Sequence, residues 1–103
     1  MTNGRALGAA FERKVAILLH DELGGDYRFK RDLEQYRASD HGDLICDTDF
    51  PFVIECKRRG GTQKTYSMDW WEQVKRAADA TNKHPVLIYQ LMRSPIRCVM
   101  GLS

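Results

Sequence analysis

Residues 51–58 read Pro-Phe-Val-Ile-Glu-Cys-Lys-Arg, a strand that carries a Glu and a Lys among apolar neighbours. Side chains alternate across a strand, so Phe52, Ile54 and Cys56 share one face and Val53, Glu55 and Lys57 the other. Glu55 and Lys57 therefore project side by side. Charges at a strand centre are costly to desolvate and call for a partner or a use. Upstream, Gly42-Asp43-Leu44-Ile45-Cys46 is also strand-like, and Asp47-Thr48-Asp49-Phe50-Pro51 is rich in turn residues. A hairpin with Asp47–Pro51 as its loop sets Cys46 opposite Phe52 and Asp43 opposite Glu55. Opposed side chains in such a ladder have Cβ atoms roughly 4.5–5.5 Å apart. Two carboxylates that close repel, and one pKa rises unless a cation lies between them. Mg²⁺ or Mn²⁺, hard ions that take oxygen ligands, would resolve the conflict.

Gly42-Asp43 followed by Glu55-Cys56-Lys57, with Glu12 in an N-terminal helix, resembles the PD-(D/E)XK nuclease superfamily. The likeness runs from Glu12 to about Val99 and is nearest to the small Holliday-junction-resolvase-like and phage-associated members. Gly42 stands where the motif's name has Pro, as in many members. The resemblance implies metal-dependent hydrolysis of DNA phosphodiesters, with branched DNA as substrate. It implies Asp43, Glu55 and the Cys56 carbonyl as metal ligands, with Glu12 holding a metal-bound water or a second ion. Lys57 would orient the attacking water or neutralise developing charge. It also implies a polar residue near the site on the second helix, which matches Gln73.

Other readings compete at single residues. Glu12 could be a core-edge carboxylate paired with an Arg, and Glu55–Lys57 a structural ion pair, although that leaves Asp43 unexplained. For the whole chain, the rivals are a non-enzymatic DNA-binding module that keeps the fold and an endonuclease cutting ordinary duplex. Intact Glu12, Asp43, Glu55 and Lys57 argue against the first, and the short chain leaves little room for the recognition elements of the second.

The elements that position these residues follow from periodicity. Leu7, Phe11, Val15 and Leu18, widened by Ala10, Ile17 and Leu19, predict a helix from about Gly4 to Glu22, ended by Gly24-Gly25. Glu12 sits on its apolar side, between Gly8 and Ala16. Tyr27 to about Gln35 reads as a first, basic strand, and Tyr36–Gly42 as a loop into Asp43. Arg59–Lys64 is a connecting segment able to wrap substrate. A second helix is expected to start near Asp69, with Glu72 completing a capping-box variant. Trp70, Trp71, Val74, Ala77, Ala78 and Thr81 form its apolar side, the tryptophans as core rather than base-stacking platforms. Asn82–Pro85 stops it. Val86–Leu91 and Ile96–Met100 are the last strands. The order α-β-β-β-α-β-β predicts an α/β fold, one mixed sheet flanked by helices in a single domain spanning 1–103. This is the restriction-endonuclease-like core that the resemblance implies.

The chain has 103 residues, 43% of them hydrophobic, and a formal net charge of +2. That composition suits a soluble globule, and no apolar run approaches the ~18 residues of a membrane span. No signal-peptide pattern opens the chain, and Cys46, Cys56 and Cys98 form no Cys-x-x-Cys pair. Buried free thiols in a reducing cytoplasm are expected. His20, His41 and His84 lack zinc-ligand spacing. Charge is clustered although the net value is small. Arg28-Lys30-Arg31, Lys57-Arg58-Arg59, Lys64 and Lys75-Arg76 suit a phosphate backbone, with Arg31, Arg58, Arg59, Lys64, Lys75 and Arg76 as candidate DNA contacts. A homodimer is expected, since a two-fold junction needs two sites and the apolar last strand has no helix after it to cover it.

Overall fold

The computed structural model describes residues 4–32 and 42–101. Helix α1 (Gly4–Glu22) leads to strands β1 (Phe29–Arg31), β2 (Leu44–Cys46) and β3 (Phe52–Arg59), helix α2 (Met68–Thr81), and strands β4 (His84–Leu91) and β5 (Arg97–Met100). The five strands lie in one sheet in the order β1-β2-β3-β4-β5. Only β3 and β4 pair in parallel, joined by α2 as the crossover that parallel neighbours require. The other pairs are antiparallel.

The sheet separates two cores. On one face Phe11, Val15 and Ala16 of α1 pack on Leu44, Ile54, Cys56, Val86 and Ile88. On the other, Trp70, Val74, Ala77 and Ala78 of α2 pack on Val53, Leu87, Tyr89 and Leu91. Residues 53–56 of β3 are consequently buried on both faces. Such a strand reads as a near-continuous apolar run, and Glu55 is the one charge within it.

Several elements depart from the sequence reading. The buried face of α1 comprises Phe11, Glu12, Val15 and Ala16, whereas Ile17 is 65% exposed and Leu7 and Leu18 sit at the rim. The apolar stripe is wider than the area the sheet can cover. Helix α2 begins one residue earlier than expected, and its N-cap is Ser67, whose Oγ accepts from the Asp69 amide at 3.1 Å. The hydroxyl satisfies a free amide of the first turn, so Asp69–Glu72 is not the cap. Asn82, in the left-handed conformation at φ 55°, closes α2. Strand β1 is shorter than expected, and 33–41, which include the rest of that reading and most of the Tyr36–Gly42 loop, lie outside the described residues. Only Cys56 is a buried thiol; Cys46 is half-buried and Cys98 exposed, because β5 is an edge strand.

The end of the sheet nearest the Asp47–Pro51 loop is closed by rings. Phe50 lies 5.1 Å from both Tyr27 and Phe29 and 5.5 Å from Phe52, and Phe52 meets His84. The opposite end, where β3 and β4 finish and β2 begins, carries the polar residues.

Candidate active site

Leu44 pairs with Ile54, the register expected of a loop from Asp47 to Pro51, and one further step sets Asp43 beside Glu55. The ladder itself changes at Asp43. Its amide donates to the Ile54 carbonyl at 2.8 Å, while its Oδ2 accepts from the Cys56 amide at 2.6 Å. A side-chain oxygen thus takes a backbone donor, and that fixes the carboxylate over the middle of β3. Gly42 makes the approach possible. A Cβ there would stand 2.7 Å from the Ile54 carbonyl oxygen and 2.8 Å from Val53 Cγ1. No side chain fits this close to a neighbouring strand.

Glu55 is 1% exposed. Its Oε2 accepts from Gln73 Nε2 at 3.4 Å, a long contact that nonetheless brings α2 to the site. Its Oε1 is buried and has no hydrogen-bond partner among the described residues. Burial, and then the charge of Asp43, push the Glu55 carboxyl up to about 9, with Lys57 acting in the opposite direction. A buried acceptor without a donor costs free energy. Two crowded carboxylates relieve the strain either by keeping a proton or by taking a cation.

Those observations test the metal expectation. Oxygen donors from Asp43 and Glu55, one of them an orphaned buried atom, suit a hard divalent cation. Among the described residues no three His, Cys, Asp or Glu side chains converge as a ready group. Glu12, the carboxylate expected to complete one, lies near enough for its charge to act on Asp43, Glu55 and Lys57, while one of its oxygens is taken by an arginine. Arg31 Nε donates to Glu12 Oε1 at 2.9 Å. Glu12 thus forms the core-edge pair with an Arg that was its alternative reading. Its carboxyl is still raised, by burial first and less by Asp43, while the Arg31 bond lowers it. The Cys56 thiol, turned into the α1-side core, is pushed well up by burial.

Lys57 is half-buried beside this group. It lies two register rows from Glu55, on the same face, and has no hydrogen bond or ion pair among the described residues. Of the candidate DNA contacts, Arg31 is partly committed to Glu12. Arg58 and Arg59 end β3, and the Arg59 guanidinium lies 5.3 Å over the Trp70 ring. Lys64 is exposed on the following loop. Lys75 pairs with Glu72 at 3.1 Å, which offsets its charge, and Arg76 is exposed. Sequence reasoning passed over Asp32, a buried carboxylate whose amide donates to the Asp43 carbonyl at 2.9 Å. Its position at the end of a basic strand gave no sign of burial. A cleft of about 270 Å³ adjoins this group through Asp32 and Gly42 and runs toward Phe50, Phe52 and Lys83, with none of Glu12, Asp43, Glu55 or Lys57 in its lining.

Residues 3–103 match the family model described as a phage putative PDDEXK endonuclease. Among solved structures, the chain is similar to Hjc, a Holliday junction resolvase from the archaeal hyperthermophile Archaeoglobus fulgidus. The TM-score is 0.64 at 20% sequence identity, over 91% of this chain and 72% of that one. At this identity the likeness speaks for the fold, the mixed sheet and two helices described above. No protein with a curated description matches the chain.

Proposed function

Because the chain belongs to the phage putative PDDEXK endonuclease family, we propose that it hydrolyses DNA phosphodiesters with a divalent metal, Mg²⁺ or Mn²⁺, and prefers branched DNA. The observation that carries the reading is the buried pair Asp43–Glu55 with an orphaned Glu55 oxygen and Lys57 alongside. A protein with no use for a cation has no reason to hold two carboxylates so close at such a cost.

Asp43 and Glu55 would hold the cation, with the Cys56 carbonyl as the third ligand that the family resemblance implies. When bound, the cation supplies Lewis acidity toward the phosphate and toward water. The protein supplies the positioning. The Cys56 amide fixes the Asp43 carboxylate, and Gln73 orients Glu55. Lys57, without a hydrogen bond or ion pair among the described residues, would set the attacking water in line or meet the charge that develops on the phosphate oxygens. Arg31 and Glu12 brace the adjoining edge. Selectivity for branched DNA draws support from the fold shared with a Holliday junction resolvase, and a homodimer would present two sites to a two-fold junction.

The test is cleavage of a four-way junction beside linear duplex and single strand, with Mg²⁺, with Mn²⁺ and with chelator. Metal-dependent cutting that favours the junction is expected. DNA bound but uncut with either metal would reduce the protein to a binding module. Duplex cut as readily as junction would leave a nuclease without junction selectivity.

A further inference from the structure

Two long stretches of this chain carry no carboxylate. Residues 57–68 contain Lys57, Arg58, Arg59 and Lys64 and no Asp or Glu, and residues 80–103 contain Lys83, Arg93 and Arg97 and no Asp or Glu. Parallel pairing joins the two stretches. Lys57 lies beside Tyr89, Arg58 beside Gln90 and Arg59 beside Leu91. Tyr89 in turn lies beside Arg97 on β5. Lys57, Tyr89 and Arg97 therefore form one row across three strands. Tyr89 is buried beneath Tyr66 and Trp70, so two cations flank an aromatic cluster. Strands stand about 4.8 Å apart, which puts the Lys57 and Arg97 backbones roughly 10 Å from one another. One DNA strand advances about 3.4 Å along the helix axis per phosphate. Measured along the helix axis, the row covers about three nucleotide steps of one strand.

The turn from β4 to β5 adds a second observation. Arg93 occupies the left-handed region at φ 58°. L residues other than Asn and Asp enter that region at a cost, and Gly is the ordinary choice. The turn around it is pinned three times. The Ser94 amide donates to the Leu91 carbonyl at 3.1 Å, Gln90 Nε2 to the Ser94 carbonyl at 3.0 Å, and Ser94 Oγ to the Met92 carbonyl at 3.3 Å. None of these bonds uses the Arg93 side chain, which is exposed and without a hydrogen bond or ion pair among the described residues. The turn also adjoins the end of β3, where a Cβ on Gly60 would lie 3.4 Å from Met92 Cε. A strained, over-determined turn thus presents an unengaged guanidinium at the same end of the sheet as Asp43 and Glu55. Strain of this kind points to a use for the side chain.

We infer that Arg93 and Arg97 form a phosphate-binding track for duplex DNA, continuous with Lys57 and Arg59 and leading away from the cleavage site across β4 to β5. The inference rests on the nuclease reading for the position of the scissile phosphate. The track itself is a binding surface that can be tested without cleavage. Its contribution is to affinity and placement, since neither arginine reaches the carboxylates.

The experiment measures binding of the full chain to a short blunt duplex across a salt series, with Ca²⁺ in place of Mg²⁺, and then single-turnover cleavage with Mg²⁺. Arg93→Gln with Arg97→Gln should weaken binding at every salt concentration and lower the slope of log affinity against log salt by about two, at ~0.9 per phosphate contact. The cleavage rate at saturating protein should stay within about twofold, the loss falling on the half-saturating concentration. Lys83→Gln removes the same charge at the opposite end of β4 and should leave the slope unchanged. Arg93→Gly, which suits the backbone of the turn, should melt no lower than wild type and still bind more weakly. Slopes equal to wild type in both arginine variants, in a protein that binds and cuts DNA, would overturn the track and spare the nuclease. A wild type that binds without cutting, with the slope falling as stated, would keep the track and remove the hydrolysis. A wild type that binds no DNA would remove both.

Discussion

Glu55 keeps its proton far above the pH at which an ordinary glutamate loses it, and this has a consequence for stability. The carboxyl is raised from 4.5 to about 9 by burial and by Asp43. Between those values the folded chain holds a proton that the unfolded chain has released. Stability of the metal-free protein therefore falls as pH rises through that window, by at most about 1.4 kcal/mol per pH unit for one proton. Urea unfolding with chelator from pH 5 to 9 should show the slope, and Glu55→Gln should flatten it. The same variant should be no less stable than wild type near pH 8 without metal, because Gln is neutral at every pH and folds without the proton uptake that Glu55 needs there. It should also lose Mg²⁺-dependent cleavage by orders of magnitude, as should Asp43→Ala. Retained metal-dependent cutting by either purified protein would remove the site assignment. Lys57→Ala separates the roles. Cations do not ligate cations, so calorimetric Mn²⁺ affinity should remain near wild type while the cleavage rate collapses. The meeting of Asp43, Glu55 and Lys57 was legible in the sequence because a period of two and one hairpin loop determine it. The partner of Glu12 was not. Arg31 reaches it from β1, and no local pattern in α1 names a residue on another element.

At the scale of elements, the strands were easier to read than the helix faces. A short alternating run, or an apolar run bounded by turn residues, points to a strand, but how much of a helical stripe is covered depends on the width of what it packs on. Ile17 and Leu18 complete a stripe on paper and stand outside the contact of α1 with β1 and β3. The start of α2 was misplaced for a different reason. Ser67 and Asp69 are both good capping residues, and only the backbone of Ser67, extended at φ −84° and ψ 139°, decides between them. Ser67→Ala should cost about 1 kcal/mol in chemical unfolding, the usual loss of an N-cap, whereas Asp69→Ala should cost less. Gly42 yields a sharper expectation. A methyl group there meets the Ile54 carbonyl at 2.7 Å, backbone that cannot step aside as a side-chain tip would. Gly42→Ala should destabilise by about 1–3 kcal/mol, as overpacking does. It should also depress cleavage beyond that loss, because Asp43 is the next residue. Cleavage that follows the folded fraction alone would show that the hairpin absorbs the change without moving the carboxylate.

For the whole molecule, the sheet constrains how two copies could serve one junction. Helix α1 lies over β1 and β3 and α2 over β3 and β4; on the α2 side Val99 of β5 joins the core that Trp71 borders, so the less covered side of β5 is the one that faces α1. Strand β5 ends the sheet, with Cys98 exposed and Met100 52% exposed. The register sets Cys98 and Met100 beside Ile88 and Val86, on the face that carries α1. Two routes to a dimer use this strand. Edge-to-edge pairing of β5 with its copy would extend the sheet, as open edges invite. Under a two-fold axis normal to the sheet, however, that pairing is antiparallel and turns the two sites to opposite ends of the assembly. Packing the uncovered faces together, with the axis running along the strands, keeps both sites at one end and removes Met100 from water. Two incisions made at one junction would be served by the second arrangement. Light scattering at micromolar concentration should therefore report a dimer for the wild type and a monomer for Met100→Glu, with melting within a few degrees of wild type because the side chain lies outside both cores. The variant should nick duplex at close to the wild-type rate and lose paired incision of the four-way junction. A dimer that survives Met100→Glu would move the interface to the edge or to α2, and a monomeric wild type that makes paired cuts would remove the need for a partner.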